Sequence, residues 1–211
     1  MSADRTPIAV YVDESCLGNG REGENPGGAA GLIEARHAHT GATERRDFWV
    51  SAPATTNNRM AIRSAIEALR ILSVKGERRA IRFTSDSQYL VKGMREWVPG
   101  WIRRGWRRKG GALENLALWQ ELAAAARAHD IEWRWVRGHE GHAQNEYANH
   151  LAVRAAERLD ASGGAVASGF EAWLAAERAR GHAHGDPDPL PAASAFHPSP
   201  ALPPEPPASL L

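Results

Sequence analysis

Two aspartates stand where short apolar runs stop: Asp13 in VDESC, after Ile8 to Val12, and Asp86 in TSDSQ, after Ala80 to Thr84. Carboxylates at neighbouring strand ends offer hard oxygen ligands, which suit Mg2+ or Mn2+. Taken singly, each aspartate also reads as a turn residue, or for Asp86 as a helix N-cap. A third polar cluster is RGHEGH, Arg137 to His142. There His139 or His142 could be a zinc ligand, a general acid or base, or a turn residue. A single cysteine and the absence of HExxH spacing weigh against zinc.

A second kind of chemistry is written between Trp101 and Gly110, where Arg103, Arg104, Arg107, Arg108 and Lys109 occur with no acid among them. Trp97, Trp101 and Trp106 surround this run. Arginines interleaved with aromatics suit a phosphate backbone with its bases and sugars. The plainer reading is a solvated basic helix whose tryptophans pack inward. Net charge does not decide between them, at +1 from 26 basic and 25 acidic residues.

The elements that must position these residues alternate in type. Ile8 to Val12 predicts a strand buried on both faces. Ala29 to Glu34 and Arg46 to Val50 predict a second and a third. Thr55, Thr56, Asn57 and Asn58 supply N-cap chemistry for a helix carrying Ile62, Ala65, Ile66 and Leu69 on one face. Ala80 to Thr84 is a further strand, and a helix through Gln88 to Met94 precedes the basic run. Another helix follows with Leu116, Trp119, Leu122 and Ala126 inward. Ile131 to Val136 alternates as a half-buried strand, and a last helix carries Tyr147, Leu151, Ala155 and Leu159. This order predicts an α/β domain over residues 7–160 with a mixed sheet.

Beyond it, residues 161–180 read as a linker (ASGGAVASG) and one short amphipathic helix. Residues 181–211, rich in Pro and Ala, are expected to be disordered. His182 and His184 lie there with no third metal ligand evident nearby. The 43% hydrophobic and 24% charged composition is globular. No apolar run reaches the roughly 20 residues needed to span a bilayer, and no signal peptide is evident. One cysteine, Cys16, excludes an intrachain disulfide framework. A cytoplasmic monomer is the expectation.

YVDESCLGN (Tyr11 to Asn19), TTNNRM (Thr55 to Met60), TSDSQYL (Thr84 to Leu90), WVPGWIRRGW (Trp97 to Trp106), LWQEL (Leu118 to Leu122) and WVRGHEGHAQNE (Trp135 to Glu146) occur in this order. The domain carrying them resembles bacterial type 1 ribonuclease H. The resemblance implies a ribonuclease H-like fold, a five-stranded mixed sheet flanked by helices, acting on RNA/DNA hybrids. It implies Mg2+ or Mn2+ as cofactor, two ions about 4 Å apart that position water and stabilise the leaving oxygen. It also implies that Asp13 and Asp86 are metal-ligating carboxylates and that His139 assists proton transfer or product release. Asn19, Asn57, Asn58 and Gln88 match minor-groove positions, where 2′-hydroxyls mark RNA. Thr56 and Arg59 match the surroundings of a DNA-phosphate pocket. Trp97, Trp101, Trp106 and the cations Arg103 to Lys109 match a basic handle that grips the DNA strand.

Two of the family's four carboxylates have no match. Ala61 follows NNRM where the family has glutamate, and Asn149 stands where it has aspartate. Asn149 keeps an oxygen without its charge, a weak ligand at best. Glu14, beside Asp13, should point away from it on an alternating strand, and would move inward only if the strand end is irregular. The insertion Gly20 to Asn25 brings Glu22 and Glu24 toward the site. Loss of one ligand or its support costs about 10- to 100-fold in metal affinity or activity. The resemblance therefore leads to weak or single-ion binding and slowed hybrid cleavage. The alternative is an inactive hybrid-binding protein, and a partner for the proline-rich tail is a third possibility.

Overall fold

The structure is a computed structural model and describes residues 6–18, 25–37, 39–108, 110–138 and 140–206. Its strands are β1 (Ile8–Cys16), β2 (Gly27–Arg36), β3 (Thr43–Ala52), β4 (Ala80–Ser85), β5 (Asp130–Trp135) and β6 (Val166–Ala167). Its helices are α1 (Asn57–Ser73), α2 (Gln88–Lys92), α3 (Val98–Arg103), α4 (Leu116–Ala126), α5 (Ala143–Arg158) and α6 (Phe170–Ala179), with a π-helical turn, Gly93–Trp97, joining α2 to α3. The strands lie in the order β5-β4-β1-β2-β3-β6. β1, β2, β3 and β6 pair antiparallel, while β1-β4 and β4-β5 are parallel.

Period-two alternation divides β1 between two layers. Val10 and Val12 join the core beneath α1 and α4, with Ile62, Ala65, Phe83 and Trp119. Tyr11 turns to the other face and meets His142, at the start of α5, with ring centroids 5.5 Å apart. That face holds a second cluster of Ala30, Leu32, Tyr147, Leu151, Phe170 and Leu174, supplied by β2, α5 and α6. Helix α5 lies so close to β2 that a Cβ at Gly28 would stand 2.0 Å from the carbonyl oxygen of Ala152. Trp119 and Trp133 are buried core, as their place in the pattern predicts.

The expected mixed sheet flanked by helices is present, with one strand more than the five anticipated. Val166 and Ala167, within the stretch read as a linker, pair with Asp47 and Arg46 on the edge of β3. An unpaired strand edge recruits even a small-residue segment, because its N–H and C=O groups need partners. Residues after 180 also depart from the disorder expected of them. Gly185 N–H donates to Gly141 O at 2.8 Å, and Asp188 exchanges hydrogen bonds with Gln144. Ser199 bonds the backbone of Ile131 and Trp133 on the other sheet edge. Glu205 accepts from Trp106 Nε1 at 3.0 Å and pairs with Arg127. Composition misled because proline lowers the entropy lost on ordering, and backbone and a few side-chain bonds fasten the segment without a new core. Residues 207–211 lie outside those described. Among the described residues, no helix is long and apolar enough to cross a membrane.

If the C-terminal segment belongs to the fold, Phe170→Ala should cost about 3–5 kcal/mol, the range for a large buried aromatic. A urea midpoint unchanged from wild type would show that α6 docks without consequence.

Candidate active site

Strand pairing brings the two aspartates together. The parallel register sets Val12 beside Ser85, the last residue of β4, so Asp13 and Asp86 are the next residues of adjacent strands. Asp13 is buried. Its Oδ1 accepts from the Glu14 amide at 2.6 Å, and its Oδ2 from Asn145 Nδ2 on α5 at 3.5 Å. Asp86 is held through its carbonyl, which accepts from Trp135 Nε1 at 2.9 Å. The loop after β5 then crosses directly over it: a Cβ at Gly138 would lie 2.2 Å from Asp86 Oδ2. A side chain there would push the Asp86 carboxylate aside.

Glu14 corrects the reading of the sequence. Oxygens of Asp13, Glu14 and Asp86 lie within 4.8 Å of one another. Alternation does send Glu14 to the face opposite Asp13, the face of Val12 and α1. Pairing to β4 ends at Ser85, however, and the chain then turns into α2, so residue 14 has no β4 neighbour and its two-methylene side chain can reach toward the strand-end acids. The Ser87 hydroxyl bonds the Glu14 carboxylate there. Because α1 lies on this same face, Glu14 delivers its carboxylate from the side on which Ala61 has none. Ala61 itself is fully buried among apolar side chains.

The cluster is electrostatically strained. Burial, then the charge of Asp86, pushes the Glu14 carboxyl up to about 8. Burial likewise raises Asp13, with the charges of Asp86, Glu14 and Glu146 adding to it and the Glu14 amide opposing. One oxygen of Glu14 is buried with no hydrogen-bond partner. Hard oxygen donors that are crowded, at least half-buried and partly unsatisfied fit a hard divalent cation, whose charge would offset their repulsion.

The remaining predicted residues surround this cluster unevenly. Asn149 lies one helical turn beyond Asn145, hence on the same face of α5, half-buried. Asn19, Lys109 and His139 lie outside the described residues, as do Glu22 and Glu24. His142 proves structural: it caps α5 by accepting from the Asn145 amide and contacts Asp188 at 3.2 Å. Thr56 caps α1 through the Arg59 amide, and Asn58 and Arg59 are exposed beside it. Asn57 has a buried amide oxygen with no partner, and Gln88 is exposed at the start of α2. Asn145, Ser87, Trp135 and Gly138 were not singled out from sequence. Gly138 and Asn145 sit inside the WVRGHEGHAQNE motif, which is the signal that could have found them.

The run expected to form a basic handle extends from α2 past the end of α3. Tyr89, Trp97, Trp101 and Trp119 form a chain of rings with centroids 5.2–6.0 Å apart. Trp119 is its buried root, while Trp97 and Trp101 are half-buried above it. Arg103, Arg104, Arg107 and Arg108 are exposed, and none is ion-paired with a described carboxylate. Trp106 is half-buried against Glu205.

The RNase H family model matches residues 5–157. A protein named Ribonuclease H from Pelobacter propionicus is 43% identical over 157 residues, 73% of this chain and 87% of that protein. A crystal structure described as LC9-RNase H1, a type 1 RNase H with the type 2 active-site motif, is 58% identical and covers 96% of each chain with a TM-score of 0.87. LC11-RNase H1 in complex with RNA/DNA hybrid shares the fold, at 18% identity and a TM-score of 0.52, covering 72% of this chain and 98% of that one.

Relieving the repulsion should be visible in stability. A carboxyl whose folded pKa is raised costs nothing below its unfolded value of about 4 and progressively more as pH climbs toward the folded value. Asp13→Asn should therefore raise the Tm of protein stripped of metal by chelator, by about 2–4 °C per kcal/mol relieved. The gain should grow between pH 4 and about 8. Melting curves that coincide at both ends of this range would contradict the strain.

Proposed function

This chain belongs to the ribonuclease H family, and we propose that it hydrolyses the RNA strand of RNA/DNA hybrids with a rearranged set of carboxylates. The observation that carries the proposal is the convergence of Glu14 on Asp13 and Asp86. With a third carboxylate present, the weak, single-ion site inferred from Ala61 and Asn149 gives way to one able to hold the divalent ions that the family uses. Asp13, Glu14 and Asp86 would hold Mg2+ or Mn2+, with the Asn149 oxygen at the margin. Description of the 58%-identical LC9-RNase H1 as having the type 2 active-site motif in a type 1 enzyme supports a working variant over a ruined site.

When bound, such ions supply a nucleophile from water and neutralise charge developing on the phosphate. The chain's own residues do the rest. Asn145 and the Glu14 amide fix both oxygens of Asp13. Trp135 fixes the backbone of Asp86. Asn57, Asn58 and Gln88 would contact a minor groove, where 2′-hydroxyls mark RNA. Arg103 to Lys109, with Trp97 and Trp101, would grip the DNA strand at a distance, setting which phosphodiester reaches the cluster. His139 would serve proton transfer or product release.

Cleavage of hybrid with a labelled RNA strand, in Mg2+ and in Mn2+, tests this. Wild type should cut, and Glu14→Gln should lose about 10- to 100-fold or more. Adding Ala61→Glu to Glu14→Gly should recover part of the loss, because both positions serve one face of the site. Ala61→Glu alone should bring no gain, since it adds a buried carboxylate to an already crowded cluster. Wild type that cuts no faster than Asp13→Ala in either metal would leave the binding-only alternative in its place.

Binding should be dominated by phosphate contacts. Arg107→Ala and Arg108→Ala should weaken hybrid binding and each reduce the slope of log affinity against log salt by about 1. A slope identical to wild type would remove these arginines from the interface.

A further inference from the structure

A second cluster of metal-ligating side chains lies away from the carboxylates, where α6 ends and the chain reverses. Glu177 is on the last turn of α6. Gly181, with φ of 82°, turns the backbone, and the His182 amide donates back to Glu177 O at 3.1 Å. This fold-back sets His182 Nδ1 2.5 Å and His184 Nε2 3.4 Å from the same oxygen, Glu177 Oε2. The other oxygen, Oε1, is occupied by Arg180 at 2.8 Å, so Oε2 alone is left to both imidazoles.

We propose that Glu177, His182 and His184 form a second metal site, taking a borderline divalent ion of the Zn2+ class. Two imidazoles and one carboxylate form a mixed nitrogen–oxygen set that suits Zn2+ far better than Mg2+. An ion with bonds of about 2.0–2.2 Å holds tetrahedral ligands roughly 3.4 Å apart. The three ligand atoms already lie within 4.8 Å of one another. The His182–Glu177 contact must widen, and His182, at 59% exposure, is free to move. His184 is prepositioned: its ring packs on Trp173 with centroids 5.0 Å apart, and its only polar contact among the described residues is through Nε2 toward Glu177, Nδ1 being buried without a partner. A three-residue set leaves a fourth position for water.

Such an ion would clamp the C-terminal segment to the body of the enzyme. The turn it fixes is the one that lies on Gly141: Gly185 N–H bonds Gly141 O, and a Cβ at Gly141 would meet Ala183 O at 3.3 Å. Gly141 is two residues from His139, in the loop that passes over Asp86.

The test uses the full chain carrying Asp13→Asn and Asp86→Asn, which silences the carboxylate cluster. Zn2+ should bind with one-to-one stoichiometry in calorimetry with excess Mg2+ present, and Co2+ should give visible d–d absorption. His184→Ala and, separately, the exposed-residue change His182→Ala should each weaken Zn2+ binding by at least about 10- to 100-fold. Zn2+ should also raise Tm in the parent and not in either variant. Affinity unchanged by both histidine substitutions, or no preference for Zn2+ over Mg2+, would overturn the proposal.

Discussion

Three carboxylates that repel one another, one buried and two half-buried at one end of two parallel strands, set the terms for the rest of this molecule. Left in an apolar core they would ionise at great cost or stay protonated. What forces them together is backbone pairing. The register between β1 and β4 is fixed by Val10, Val12, Ile81 and Phe83, all fully buried. A one-residue slip would send every one of these side chains to the wrong face. The apolar core thus holds the acids at a spacing they would not choose, and that unrelieved charge is what suits the cluster to the divalent cation proposed for it.

The same constraint explains the polar groups packed around it. Asn145 is buried and directs its amide toward Asp13 and the Val12 carbonyl. Donors aimed at a carboxylate favour its charged form, which partly offsets desolvation. Gly138 lets the loop after β5 come within side-chain distance of Asp86. Gly28 lets α5, which carries Asn145 and Asn149, settle onto β2. Two glycines far apart in sequence therefore serve one purpose: each removes a side chain so that a polar element can reach the end of β1.

Much of this was legible in the sequence, and the failures share a cause. The strands ending at Asp13 and Asp86 were readable because unbroken apolar runs mark strands buried on both faces, and the helix faces followed from three- and four-residue spacing. Glu14 was misjudged because alternation describes a strand flanked by neighbours, whereas β1 outruns β4 by several residues and its end has no β4 neighbour. Alternation gave the correct face for Glu14; side-chain length then decided where its charge went. The short helix expected over residues 170–180 is present as α6, whereas residues 161–169 and 181–206 were misjudged on composition. Their order comes from contacts no periodicity encodes: Val166 and Ala167 along β3, Ser199 along β5, and single anchors such as Asp188 and Glu205.

Those anchors place the C-terminal segment in mechanical contact with the chemistry. Asp188 bonds His142 and Gln144, the residues that open α5, and His142 in turn caps the amide of Asn145. Asn145 then reaches Asp13. The path from the segment to the carboxylates is therefore one helix terminus long. Farther on, Leu202 packs against the core and Glu205 sits against Trp106 at the tip of the basic handle. One strap touches both the helix that aims Asp13 and the handle proposed to hold the DNA strand. It also closes the β5 edge, whose exposed backbone would otherwise invite pairing with another chain. A segment that adds few residues to either core can thus stiffen both the carboxylate cluster and the run proposed to hold a nucleic-acid strand.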